Sequence, residues 1–240
     1  MKKIVYIWMT KKVVKVKHNL ADFNVGVDNV IFSVDTIKNK LLILLVKREK
    51  EPFKEFWSLP ATLVKQGESL ESAAYRTLAE KIKVNNLYLE QLYTFDSRDY
   101  DDRYLSISYF ALVRYEDAKI TKNIKTVTWI TLDAIPTLAF NHNCIVEYGY
   151  QRLRNKLEYS PIAFDVLPEL FTLYDLYQLY ITVLGENFTD YSNFRSRLLK
   201  LGFLIDTGEK AYKGAGRPAT LYRFDTHAFA PLKDKPLLFV

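Results

Sequence analysis

The stretch Gly67-Glu68-Ser69-Leu70-Glu71-Ser72-Ala73-Ala74-Tyr75-Arg76-Thr77-Leu78-Ala79-Glu80-Lys81-Ile82-Lys83 decides how the N-terminal half of the chain folds. Leu70, Ala74, Leu78 and Ile82 recur four apart, which places one apolar stripe on a helix predicted from Ser69 to Lys83. Upstream, Val25–Val34 and Lys40–Lys47 read as strands joined by the polar link Asp35–Asn39, and Phe56–Leu63 reads as a further strand-like piece. Downstream, Gln91–Phe95, Tyr104–Tyr115 and Thr126–Ile130 have strand character. Strands on both sides of an amphipathic helix give a mixed sheet flanked by helices over residues 1 to about 140.

Working outward, the pattern turns helical from about Cys144 to Leu157, and Ser160-Pro161 and Leu167-Pro168 then mark a linker. The domain boundary falls near Glu158, dividing the chain into 1–158, with the linker helix at 144–157, and 159–240. Phe171–Gly185 is a clear helix: Thr172 is an N-cap with Asp175 three residues on, Leu173, Leu176, Tyr177, Tyr180, Ile181 and Leu184 form its stripe, and Gly185 closes it. A second helix follows, capped by Thr189 or Asp190 and ended by Gly202. Its apolar stripe is Tyr191, Phe194, Leu198 and Leu201, while Ser192, Asn193, Arg195, Ser196 and Arg197 occupy the other face with Lys200 near its edge. Phe203–Ile205 and Leu221–Phe224 read as short strands around a basic, glycine-rich tip that carries Lys213 and Arg217. Two helices followed by a basic hairpin describe a winged helix-turn-helix, whose second helix enters the major groove of duplex DNA. The predicted DNA contacts are Ser192, Asn193, Arg195, Arg197, Lys200, Lys213, Arg217 and Tyr222.

Charge distribution agrees with a polyanion partner. Residues 1–17 hold six lysines and no acid, and residues 191–223 hold seven Lys/Arg against two acids. The chain of 240 residues, 49% hydrophobic, is large enough for two cores. One cysteine, Cys144, excludes an intrachain disulfide and fits a reducing compartment. The N-terminal apolar stretch Ile4–Met9 is too short for a signal sequence, and the run Leu41–Val46 is far below bilayer-spanning length. A cytoplasmic location with no membrane partner is expected. His18, His142 and His227 are far apart and give no metal-ligand spacing.

Gly67–Arg76, together with Phe56-Trp57-Ser58-Leu59-Pro60, resembles the Nudix box and the Trp-x-Leu-Pro element that leads into it. Glu68 and Arg76 stand where that family has them, but Thr62 and Lys83 replace its glycines. The metal-binding glutamates of the family fall at Thr77, Glu80 and Lys81 here. One carboxylate of three remains, and an ammonium at such a site repels a divalent cation. The resemblance therefore implies an N-terminal Nudix-type α/β/α sandwich that binds an anionic or polyhydroxy ligand without hydrolysing it. Arg48, Trp57, Glu68, Arg76, Glu80, Lys81, Arg98 and Arg103 are the candidate ligand contacts, with no catalytic residue, resident metal or cofactor. For Arg76 and Glu80, four apart, an ion pair on the helix surface stands as an equal alternative.

The order of parts is similar to the Nudix-related transcriptional regulators, with an NrtR-like branch tied to NAD metabolism and an AraR-like branch that answers to arabinose. Leu138-Ala139-Phe140-Asn141-His142, Leu167-Pro168-Glu169-Leu170-Phe171-Thr172-Leu173 and Gly216-Arg217-Pro218-Ala219-Thr220-Leu221-Tyr222-Arg223-Phe224 carry the likeness, which spans about Phe23 to Phe224. It implies a homodimeric repressor on a palindromic operator, with ADP-ribose or a sugar as effector and His142 at the junction between domains. An α+β chain of this kind has two rivals: a Nudix pyrophosphatase using Glu68, Glu71 and Glu80, and a module that recruits protein.

Overall fold

The structure, a computed structural model, describes residues 22–83, 87–97, 103–116, 118–120, 125–185, 190–212 and 218–232. Strand β1 (Asn24–Asp35) organises the main sheet, with β2 (Lys40–Lys47) antiparallel on one side and β7 (Tyr104–Arg114) parallel on the other. Strand β6 (Glu90–Ser97) lies at the edge beyond β7. The short β3 (Trp57–Ser58) and β9 (Val127–Thr131) pair with β2, and β4 (Ala61–Leu63) pairs with β1.

Successive side chains of a strand point to opposite faces. Val27 and Ile31 of β1 accordingly join one buried cluster with Ala73, Ala74 and Leu78 of helix α1 (Leu70–Ala79). Val30, Phe32 and Val34 join another with Ile145, Val146, Leu153 and Leu157 of helix α2 (His142–Tyr159). The result is the expected helix–sheet–helix sandwich.

Two elements differ from the sequence reading. The strand expected over Phe56–Leu63 is split, because Pro60 has no N–H to donate and Leu59 N–H bonds to a side chain of α2 rather than to a neighbouring strand. The helix expected to reach Lys83 stops at Ala79, and Ile82–Lys83 forms strand β5, paired with β8 (Lys119–Ile120). Ile82 keeps helical spacing in the sequence, yet it is buried from a strand, so tertiary pairing overrides local periodicity.

The second module starts with a 3-10 turn (Pro161–Asp165) and continues through α3 (Leu173–Leu184), α4 (Tyr191–Lys200), β10 (Leu204–Ala211), β11 (Ala219–Phe224) and α5 (Thr226–Phe229). Thr172 and Asp175 complete a reciprocal capping box at the start of α3, and Gly185 follows its end with φ 88°. Asp190 caps α4, accepting Asn193 N–H at 2.8 Å, while Thr189 lies outside the described residues. The hairpin is longer than expected, since Lys210 and Ala211 pair with Thr220 and Ala219. Phe164, Phe203, Phe224 and Phe229 brace its base, with Phe164 stacked on Phe224 at 4.2 Å. Among the described residues no helix is long and apolar enough to cross a membrane.

One apolar cluster runs from the sheet through α2 into α3 and α4. Polar contacts set the angle of that junction. The wholly buried Tyr180 hydroxyl donates to Leu157 O at 3.1 Å, Tyr150 Oη donates to Val183 O at 2.8 Å, and Arg154 Nη1 reaches Leu184 O at 2.8 Å. The last carbonyls of α3, which have no partner within the helix, are thus satisfied by α2.

Candidate effector and DNA interfaces

The turn into α1 is built around Glu68. Gly67 takes φ 79°, the left-handed region where a side chain is strained, and turns the chain so that Glu68 faces the helix. The Glu68 carboxylate accepts Lys65 N–H at 3.0 Å and is gripped by Arg76 through Nε at 2.7 Å and Nη2 at 2.9 Å. The Arg76 hydrogen bonds, followed by that backbone N–H, hold the Glu68 carboxyl down at about 2. Arg76 also reaches Leu63 O at 3.3 Å, tying the helix to β4. The alternative raised for Arg76, a pair with Glu80, gives way to this two-pronged grip on Glu68, although Glu80 adds to the field that stabilises the guanidinium. Thr77 is buried and donates its hydroxyl to Ala73 O at 2.8 Å, so it is turned back on its own helix. Glu80 is the exposed C-cap of α1, and Lys81 follows it half-buried.

The other candidate ligand residues fall into separate groups. Arg48 donates Nε to Pro52 O at 2.8 Å and stacks 4.6 Å over the Phe140 ring, in a loop where Phe53 also packs on Phe140 at 4.9 Å. Burial lowers the Arg48 guanidinium, partly opposed by Glu51. Half-buried Trp57 packs against the α2-side core, with Trp57 O accepting Ala139 N–H at 2.8 Å. Arg103 lies apart, 5.7 Å over Phe23, and Arg98 is outside the described residues. Glu68, Arg76, Glu80 and Lys81 thus belong to α1 and its entry turn, on one side of the sheet, while Arg48 and Trp57 gather near the N-terminus of α2.

Sequence reasoning gave no role to Asp28 or Asn29, two polar residues inside an otherwise apolar strand, and that interruption was the available signal. Asp28 is buried, accepts a hydrogen bond from Ser106 Oγ, and lies 3.5 Å from His142 Nε2. His142 Nδ1 accepts Leu59 N–H at 3.0 Å, so its ring proton sits on Nε2, facing Asp28. The Asn29 amide donates to Pro60 O and Ala74 O at 3.3 and 3.4 Å. The Trp57–Pro60 segment is therefore clamped to the start of α2 on one side and to α1 on the other.

Burial pushes the His142 imidazole below its ordinary range, outweighing Asp28. A base whose folded-state value is depressed contributes stability that is complete above its unfolded value, near 6.5, and is lost as pH falls below it. The chain should therefore lose stability as the pH falls below about 6.5, with His142→Gln flattening that part of the profile. Equal slopes for both proteins in urea titrations would show that His142 is not the group responsible.

In the second module Phe194 and Leu198 turn the inner face of α4 to the core, leaving Ser192, Asn193, Arg195, Arg197 and Lys200 exposed. Tyr222 is largely buried: its backbone pairs with Phe171, and its ring forms part of a concave wall between α3, α4 and the hairpin. Lys213 and Arg217 lie outside the described residues.

A helix–sheet–helix sandwich with an Arg–Glu-locked turn, sharing an apolar cluster with a winged helix, defines a two-module ligand-sensing DNA-binding protein. Residues 23–148 match the NUDIX domain family, and residues 159–240 match the AraR C-terminal winged HTH domain. The chain is 35% identical over 205 residues to the ADPR responsive transcriptional repressor NtrR of Acinetobacter baylyi, covering 82% of this chain and 80% of that one. Shewanella oneidensis NrtR, solved in complex with a 27mer DNA, superposes with TM-score 0.72 at 34% identity over 85% of this chain and 94% of its own. An ADP-ribose pyrophosphatase of Methanocaldococcus jannaschii is 29% identical over 148 residues, 61% of this chain and 86% of its own. The chain belongs to the Nudix-related transcriptional regulators.

Proposed function

We propose that the protein is an ADP-ribose-responsive repressor, which binds operator DNA as a homodimer through its winged helix and senses ADP-ribose with a non-hydrolytic Nudix domain. The identity with the A. baylyi repressor, sustained along four-fifths of both chains, carries this reading. The α1 donor set does not fit a magnesium centre. Thr77 is buried and bonded to Ala73 O, Glu68 is held by Arg76, and Lys81 brings a positive charge next to Glu80. A diphosphate is recognised by a cation in its place, Lys81 being the candidate on the α1 side and Arg48, beside Trp57, the separate candidate near α2.

Signal transfer follows the contacts already described. A ligand that moves the Trp57–Leu59 segment acts on Ala139 through the backbone bond to Trp57 O at 2.8 Å and on the His142 ring through Leu59 N–H at 3.0 Å, and α2 carries the shift to the end of α3. The test is a fluorescence titration of the full chain on a duplex from its own upstream region, with and without ADP-ribose. An affinity change of at least about fivefold, the usual lower range of allosteric coupling, is expected. Unchanged affinity would exclude ADP-ribose as the effector. The likeness to the archaeal pyrophosphatase supports hydrolysis as a second reading, and magnesium-dependent release of AMP from ADP-ribose would favour it.

A further inference from the structure

The two arginines of α4 differ in position from its polar centre. At about 100° per residue, Ser196 lies opposite the midpoint between the buried Phe194 and Leu198. Ser192, Asn193 and Lys200 fall within roughly 60° of Ser196, whereas Arg195 and Arg197 sit on opposite flanks, each about 80° from the buried axis. The side that reaches deepest into a groove is the one opposite the core. By that geometry the serines and the asparagine, not the arginines, face the base edges.

Arg195 instead enters a concavity of about 500 Å³ between the start of α3, α4 and the hairpin. Its wall includes Tyr174, Tyr191, Lys210, Thr220 and Tyr222, and no carboxylate lines it. Lys210 is held over the opening by Thr220, Nζ to Oγ1 at 2.6 Å, and Tyr174 is half-exposed at the rim. Among the described residues Arg195 forms no salt bridge with an acid. Two cations and several hydroxyls converging on a hollow without a counter-ion match one tetrahedral monoanion.

We propose that this concavity seats a single backbone phosphodiester of duplex DNA, gripped by Arg195 and Lys210, and that Ser192, Asn193 and Ser196 read the bases. The assignment rests on the DNA-binding role of the module and changes what Arg195 does there: it sets the depth and register of α4 rather than reading guanine. Phosphate contacts contribute equally to all sequences and to the salt dependence, while base contacts contribute only to the preferred site.

The test uses the full chain, a duplex selected by it from a random pool, and a scrambled duplex of equal length. Arg195→Ala is expected to weaken both complexes by about tenfold and to lower the slope of log K against log salt by about 0.9. Arg195→Lys should recover most of the loss, because a phosphate accepts either cation whereas a two-pronged guanine contact does not. Asn193→Ala and Ser196→Ala should reduce the ratio of selected to scrambled affinity while leaving the salt slope in place. Loss confined to the selected duplex in Arg195→Ala, with an unchanged slope and no rescue by lysine, would overturn the assignment while leaving the module a DNA binder. Failure of the unaltered chain to hold any duplex would overturn both.

Discussion

Phe194→Ala is expected to be the most damaging single change, lowering unfolding stability by about 3–5 kcal/mol, the usual range for truncating a buried phenylalanine. Phe194 is 1% exposed, and its ring meets Tyr177 at 5.4 Å and Tyr180 at 5.5 Å. It is the anchor that seats α4 on α3, so its loss leaves a cavity under the helix proposed to enter the groove. α4 spans only ten residues with no acid in its first turn, and an isolated helix of that length is marginal in water, so packing rather than propensity keeps it formed. A fall in melting temperature accompanied by loss of duplex binding is expected in calorimetry and titration. A variant that melts within a degree or two of the parent would mean that α4 is held by something other than this contact.

The second large effect is expected at Gly149, in the middle of α2. A Cβ there would stand 2.9 Å from Val30 Cγ1 and 3.5 Å from Leu92 Cδ2, so the helix backbone lies almost directly on the sheet. Val30 is β-branched, with few rotamers to which it can retreat. Gly149→Leu should therefore cost about 1–3 kcal/mol through overpacking, against the gain of up to about 1 kcal/mol that replacing glycine in a helix normally brings. The mechanical consequence matters more. Because Tyr150 and Arg154 on the same helix hold the end of α3, lifting α2 off β1 displaces the winged helix relative to the sheet. The variant is expected to lose the proposed ADP-ribose control of DNA affinity while each ligand still binds. Full retention of that control would show that the signal does not travel through α2.

The same junction explains why the two modules share an apolar cluster although the sequence divides them. Proline pairs mark a linker only at the level of the chain, since they end helices without saying what lies beside them. Here the segment after α2 folds back as the 3-10 turn Pro161–Asp165, in which Ala163 is wholly buried. The linker is thus part of the core, and a shift of α2 need not pass through a flexible hinge.

The sequence by itself determined those features that depend on spacing within one element: the α1 stripe, the Thr172–Asp175 capping box, and the inner and outer faces of α4. Each is a matter of residues three or four apart, where local geometry fixes the outcome. Tertiary structure decided the rest. It turned Arg76 onto Glu68 with Glu80 adding to the field, moved Ile82 from helix to strand, paired His142 with Asp28 and Leu59 across the fold, and put Arg195 and Lys210 on one hollow. Glu68 and Arg76 are 8 residues apart, and Leu59 and Asp28 are 83 and 114 residues from His142, distances that carry no periodic signal. The packing of α2 on the sheet brings His142 to Asp28 and Leu59, and the hairpin against α4 brings Arg195 and Lys210 to one hollow, whereas the Gly67 turn sets Glu68 against Arg76.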